Sequence, residues 1–320
     1  MAQPYDLPLH ELERYKPELT KEQDFDKFWE KTLEELNRVP LEVEMTPHDY
    51  PAKGVSVHRI AFRSYGGARI EGWLAMPKGK GPHPGLALFH GYNWAMDGNL
   101  HDTVNWAAHG YAALQMFCRG QHGGSQDTTI YSNGGPAGWM TRGILSPEEY
   151  YYRAVYMDTV RAVEVLASLE QVDASRIGVC GGSQGGALTL AAAAFSPIPV
   201  VATADYPYLS NFNRAIDITP EGPYGELNEY FRKVGGDPEI EQQAKRTLSY
   251  FDIMNLAGRV SCRTWMSVGL VDVITPPSTI FAVYNHLTCQ KQISVNRYFG
   301  HEFIPRAHEE RLRVLLETIG

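Results

Sequence analysis

Short apolar runs alternate with stretches of helical spacing along most of the chain. Residues 41–46, 55–63 and 69–76 read as strands, and the turn Ser64-Tyr65-Gly66-Gly67 joins the last two as an antiparallel hairpin. Further strands are predicted over 86–90, 111–117, 176–180, 199–204, 263–268 and 293–299. Between them lie helical patterns. Phe25, Phe28, Trp29, Leu33 and Leu36 follow a capping-box pattern at Thr20-Lys-Glu-Gln23. Ser146-Pro147-Glu148-Glu149 announces a helix to about residue 170, with Tyr152, Val155, Tyr156, Thr159, Val160 and Val163 on one face. Residues 187–195 suit a packed helix, Thr275-Pro276-Pro277-Ser278 opens one over 280–287, and Pro305 begins the last through Leu316.

This alternation implies a mostly parallel central sheet flanked by helices on both faces, an α/β fold. Residues 205–258 depart from it, carrying aromatics and charges in helical patterns, and read as an insertion or cap. With no repeat, low-complexity tract or linker, 1–320 is expected to form one domain, residues 1–40 being an N-terminal helical extension. The long glycine-rich stretch 118–143 reads as a functional or contact loop.

Composition narrows the function. Apolar residues make up 43% and charged residues 21%, as in an ordinary globular protein with a substantial core. A net charge of −8 disfavours nucleic acid and anionic membrane as partners. No apolar run has the length of a membrane span, and the first residues lack the apolar core of a secretory signal. Cys118, Cys180, Cys262 and Cys289 are scattered without a CxxC pair, so free thiols and a cytoplasmic location are favoured over disulfides.

The chemistry centres on Gly181-Gly182-Ser183-Gln184-Gly185, a G-x-S-x-G pattern between a predicted strand and a predicted helix. That context is the one a nucleophile elbow requires, with glycines where strand and helix approach closely. A serine nucleophile needs a base, and the base an orienting acid. Asp272 follows the strand at 263–268, and His301 follows the last strand. The order Ser183, Asp272, His301 is that of α/β-hydrolases, with the insertion falling before the acid. The amides of Gln184 and Tyr92 are the expected oxyanion donors, the latter in the loop His90-Gly91-Tyr92-Asn93. The Tyr92 ring, with Tyr206, Pro207 and Tyr208 of the insertion, is expected to contact substrate and to crowd the acyl pocket toward small groups.

Arg119-Gly120-Gln121, Gly181-Gly182-Ser183-Gln184-Gly185-Gly186 and His301-Glu302 resemble the three signature motifs of the cephalosporin C deacetylase and acetyl xylan esterase family, carbohydrate esterase family seven. Gly269-Leu-Val-Asp272, Pro276-Pro277-Ser278-Thr279 and Gly138-Trp139-Met140-Thr141-Arg142-Gly143 are similar to that family too, and the likeness runs across essentially the whole chain. The resemblance implies removal of acetyl groups from short acetylated xylo-oligosaccharides and from cephalosporins, without a metal or other cofactor. It also implies a cytoplasmic homo-hexamer, a trimer of dimers whose active sites face an internal cavity. Tyr5, Tyr15, Phe25, Trp29, Tyr131, Trp139 and Met140 could anchor such an assembly or pack on their own subunit. Arg119 and Gln121 have a structural reading, as pins for loops, beside a chemical one, and Glu302 reads as a support for its neighbour or a solvent-facing residue.

Other chemistries fit less well. His301-Glu302 is followed by Pro305, so the HExxH pattern of zinc hydrolases fails. Phosphate-loop and dinucleotide fingerprints do not occur. A peptidase, a long-chain lipase or another short-chain carboxylesterase is the enzymatic alternative, and a non-catalytic binding protein on the same fold the remaining one.

Overall fold

In the computed structural model, residues 5–94, 99–121, 123–135, 138–219 and 221–320 are described. Nine strands form one sheet, β1 (Glu44–His48), β2 (Val55–Arg63), β3 (Arg69–Pro77), β4 (His83–Phe89), β5 (Ala112–Met116), β6 (Val172–Gly182), β7 (Val201–Asp205), β8 (Arg263–Gly269) and β9 (Lys291–Asn296). Their order across the sheet is β1-β2-β3-β5-β4-β6-β7-β8-β9. The hairpin expected from residues 55–76 is present, pairing Val55 with Pro77 and Arg63 with Arg69. β1, β2 and β3 run antiparallel to their neighbours, and from β5 to β9 the sheet is parallel.

Helices α1 (Leu9–Leu12) and α2 (Phe25–Asn37) precede the sheet. Then come α3 (Leu100–Ala108), α4 (Tyr151–Ser168) and α5 (Gln184–Phe195). The insertion holds α6 (Phe212–Ile218), α7 (Gly222–Lys233), α8 (Pro238–Phe251) and α9 (Ile253–Leu256), and α10 (Pro277–His286) and α11 (Pro305–Ile319) follow. α2, α4, α5 and α10 share one apolar core with the insertion, through residues such as Trp29, Tyr156, Leu188, Phe251 and Phe281. Trp106 of α3 and Val314, Leu315 and Ile319 of α11 cover the other side with Leu86, Leu88 and Trp265. This is the α/β-hydrolase fold. β4 lies between β5 and β6, so the strand order reverses there and leaves a crevice at the carboxyl ends, where such sheets bind ligands.

Two expected helix starts shift, each because a capping side chain has a tertiary partner. Thr20 exchanges two hydrogen bonds with Asn255, its amide donating at 3.0 Å and its hydroxyl accepting at 2.9 Å, so α2 begins at Phe25. Glu149 turns to the Ser132 amide and hydroxyl, at 2.8 and 2.6 Å, so residues 146–150 form a turn and α4 begins at Tyr151. The helix opened by Thr275-Pro276-Pro277-Ser278 begins at Pro277, within that opening, and the Thr275 hydroxyl bonds Asp272. α3 was not expected at all. Its start at Asn99, in the left-handed region (φ 56°), offers no side-chain cap to announce it.

The aromatics considered as assembly anchors pack largely on their own chain. Phe25, Trp29 and Met140 are buried, Trp139 donates its indole N–H to Gly120 O at 3.1 Å, and Tyr5 donates its hydroxyl to Ile218 O. Asp6 in the N-terminal strap accepts the Ser278 amide at 2.7 Å and pairs with Arg214 of α6 at 2.8 Å. The loop considered for the same role includes His122, Pro136 and Ala137, which lie outside the described residues.

Candidate active site

Ser183 stands alone between the end of β6 and the start of α5, with φ 59° and ψ −122°. Such angles are costly for a residue with a Cβ and persist only where surroundings impose them. Here three backbone bonds do so: the Ser183 amide donates to Asp205 O at 3.0 Å, and its carbonyl accepts from Ala187 at 3.1 Å and Tyr208 at 3.0 Å. Gly185 is obligatory because a Cβ there would lie 2.0 Å from the Phe89 carbonyl oxygen. The elbow therefore presses α5 directly onto the end of β4.

Asp272 and His301 reach Ser183 from the loops after β8 and β9. His301 Nε2 is 2.9 Å from Ser183 Oγ, and Nδ1 is 2.9 Å from Asp272 Oδ2. A carboxylate can only accept, so this contact keeps the proton on Nδ1 and leaves Nε2 as acceptor for the serine hydroxyl. Asp272 is fully buried and takes four donors. Its Oδ1 accepts the amides of Ile274 and Thr275 at 2.8 and 2.9 Å, and its Oδ2 accepts the Thr275 hydroxyl at 2.7 Å as well as His301. Thr275 also lies 3.2 Å from His301 Nδ1, a role that its helix-cap reading concealed. Glu302 is exposed and accepts the Gly300 amide at 3.1 Å, which closes the loop around His301.

Tyr206 lies edge-on to the His301 ring at 4.8 Å, and burial followed by the Asp205 charge pushes its phenol well up, so it stays protonated. Asp205 is itself held by Ser267 at 2.7 Å and Arg311 at 2.5 Å. Pro207 is buried against Gly186 in the first turn of α5. Tyr208 is buried with its ring 6.2 Å from Tyr92 and 4.3 Å from Tyr224 of α7.

The two residues expected to supply oxyanion donors sit on adjoining elements. Gln184 opens α5, whose first amides have no acceptor within the helix. Its side chain is turned inward, Oε1 accepting the Tyr152 hydroxyl at 2.9 Å and Gln121 Nε2 at 2.8 Å. Gln121 Oε1 in turn accepts the Asn93 amide at 3.1 Å, so one side chain ties the loop after β4 to the head of α5. Arg119 is buried and forms two 2.7 Å bonds to Asp158, with a third at 3.1 Å to the Tyr65 carbonyl. Both side chains thus tie separate segments together. Tyr92 donates its hydroxyl to Glu226 of α7, a contact 134 residues away in sequence that no motif announces.

Several proteins similar to this chain are named as esterases. A solved acetyl xylan esterase from Paenibacillus sp. R4 superposes with a TM-score of 0.94 at 42% identity, over 98% of this chain and 100% of that one. Acetyl xylan esterase 1 from Thermoanaerobacterium sp. JW/SL YS485 gives the same TM-score of 0.94 at 33% identity, again over 98% and 100%. Acetyl esterase Axe7A of Xylanibacter ruminicola is 29% identical over 88% of this chain, which spans 63% of that relative's length. The family model described as acetyl xylan esterase matches residues 1–318. On this match and the shared fold, the chain belongs to the acetyl xylan esterase family, carboxylic ester hydrolases built on the α/β-hydrolase fold.

Proposed function

We propose that this protein is a serine esterase that removes acetyl groups from short acetylated xylo-oligosaccharides and related small esters, cephalosporin C among them. The observation that carries the reading is the Ser183–His301–Asp272 relay, with 2.9 Å at each step. In the reaction Ser183 Oγ bonds to the acetyl carbon as its proton passes to His301 Nε2. Asp272 holds the imidazolium. The carbonyl oxygen becomes an oxyanion received by the amides of Gln184 and Tyr92. Collapse breaks the bond to the sugar oxygen, which leaves with the proton from His301. Water then attacks the acetyl-serine, giving its proton to the same nitrogen, and acetate departs as Ser183 is reprotonated. The scheme uses side chains and backbone alone.

Three further parts of the reading rest on the same likeness. The chain is taken as a single unit, supported by the apolar core that the sheet, α2 and the insertion share. A cytoplasmic location agrees with four free cysteines. Assembly into a hexamer is carried over from the resemblance. Among the described residues no helix is long and apolar enough to cross a membrane.

The test is Ser183→Ala against p-nitrophenyl acetate, acetylated xylo-oligosaccharides, a long-chain ester and a peptide amide. The wild type should favour the acetates, and the folded variant should lose on the order of 10³-fold or more. A folded variant with near-normal turnover would remove Ser183 from the mechanism. Preference for the long-chain ester or the amide would replace the acetyl reading.

A further inference from the structure

Glu226 lies on α7, half-buried, and collects two segments that are distant from it in sequence. Both carboxylate oxygens accept the Tyr92 hydroxyl, at 2.7 and 2.8 Å, and Oε2 also accepts the Met140 amide at 3.2 Å. The Tyr92 oxygen accepts the Trp139 amide at 2.9 Å, and the two rings meet edge to face at 5.3 Å and 79°. The backbone of the 138–140 segment comes so close that a Cβ on Gly138 would lie 2.2 Å from the carboxylate oxygens. Arg142, the cation that acts on Glu226, is itself paired with Asp127 at 3.7 Å.

An arrangement of this kind does little for stability. Burial pushes the Glu226 carboxyl up, and the bonds from Tyr92 and Met140 offset only part of that. A raised carboxyl means that folding disfavours the ionised form, so at neutral pH the charge costs stability rather than adding it. A glutamine would fill the same space without that cost. What the carboxylate does supply is two acceptor oxygens for one phenol, a geometry that fixes both the position and the rotation of the Tyr92 ring. Burial and the Glu226 charge also push the Tyr92 phenol far up, so it remains a donor throughout the working range.

We infer that Glu226 is a positioning residue that sets acyl-chain selectivity, by clamping Tyr92 as a rigid wall of the acyl pocket. The inference rests on the esterase reading above. Tyr92 joins the wall to the oxyanion loop in one residue, since its amide belongs to the segment that Gln121 holds through Asn93 at 3.1 Å. With the ring clamped, an acetyl group fits beside it and a longer chain meets the ring. With the ring released, the added methylenes gain room, and acetate loses part of its placement against the two amides.

The experiment compares Glu226→Ala, Glu226→Gln and Gly138→Ala with the wild type on p-nitrophenyl acetate, butyrate and hexanoate, each with a melting curve. In Glu226→Ala the butyrate-to-acetate ratio of kcat/KM should rise about tenfold, the scale on which a hydrophobic pocket discriminates by methylenes. Glu226→Gln keeps only one of the two acceptor oxygens and should give a ratio between those of the wild type and Glu226→Ala. Gly138→Ala displaces the carboxylate while leaving Glu226 in place, so it should shift the ratio in the same direction and covers the case in which Glu226→Ala does not fold. An unchanged ratio in folded Glu226→Ala overturns the inference, as does an equal loss on all three esters. Failure of the esterase reading is recognised separately, because the wild type itself would then not hydrolyse acetate.

Discussion

Replacing Asp272 by asparagine tests the relay at the point where the geometry is most demanding. The side chain keeps its size, and its remaining oxygen can stay on the amides of Ile274 and Thr275, at 2.8 and 2.9 Å. The new amide nitrogen then occupies the Oδ2 position, 2.9 Å from His301 Nδ1 and 2.7 Å from the Thr275 hydroxyl. An amide nitrogen donates, so it forces Nδ1 to accept and moves the imidazole proton to Nε2. Nε2 then faces Ser183 Oγ at 2.9 Å carrying a proton of its own and cannot take another. The fold should survive, because all four polar contacts at Asp272 can be kept, the two at Oδ2 with donor and acceptor reversed. The loss should be about 10⁴-fold in kcat, the scale seen when a triad histidine is held in the wrong tautomer, or about 5.5 kcal/mol of barrier. The assay is acetate-ester hydrolysis at pH 7 to 8 with KM determined separately and thermal unfolding run in parallel. KM should move little, since Asp272 touches no substrate. Turnover within tenfold of the wild type in a folded variant would refute the argument.

Two further outcomes are expected. Burial lifts the Asp252 carboxyl from 3.8 to about 6 despite amide donors from Phe212, Asn211 and Met254; its contribution to stability is thus complete below pH 3.8 and is lost as pH rises through 6, so urea unfolding at pH 3.5 and 7.5 should show Asp252→Asn gaining about 3 kcal/mol on the wild type over that interval, and parallel curves would contradict it. Light scattering at micromolar concentration should give the mass of a hexamer, and a monomer mass would remove that part of the proposal.

Much of the sheet was legible because its strands are apolar runs bounded by glycine, proline and polar turns. The elbow was legible because steric crowding allows so few residue types around Ser183: Gly185 has a carbonyl oxygen where its Cβ would be. The order of Ser183, Asp272 and His301 could be read because each follows its own strand. What escaped were contacts whose partners are set by the fold alone. Thr275 carries the same local signature whether it caps α10 or bonds Asp272, and only the approach of His301 makes the second useful. Glu149 matches a capping box, yet the Ser132 amide and hydroxyl take it. Glu226 sits among ordinary charged residues of an amphipathic helix, and nothing within the helix distinguishes it from Glu229, which pairs with Lys233 in solvent.

The signature residues Arg119 and Gln121 make sense once the site is followed outward rather than inward. Ser64, in the hairpin turn, donates to Asp158 at 2.5 Å, and Arg119 grips the same carboxylate at 2.7 Å. The Arg119 carbonyl accepts the Tyr151 hydroxyl at 2.6 Å, that oxygen accepts from Gln121 at 3.1 Å, and Gln121 accepts the Asn93 amide at 3.1 Å. A continuous chain of hydrogen bonds thus runs from the antiparallel edge of the sheet to the loop that carries Tyr92. A buried ion pair such as Arg119–Asp158 is weak as a source of stability, because desolvation offsets its attraction. Its value here is geometric: each partner has one satisfied arrangement, and the loop at the far end inherits that rigidity. Oxyanion stabilisation depends on donors that are already in place when charge develops, and a loop free to rearrange would forfeit part of it. Part of the order of the loop after β4 is imported from other elements. Gln121 imports it from α4 and the sheet, and Glu226 from the insertion, on opposite sides of Tyr92.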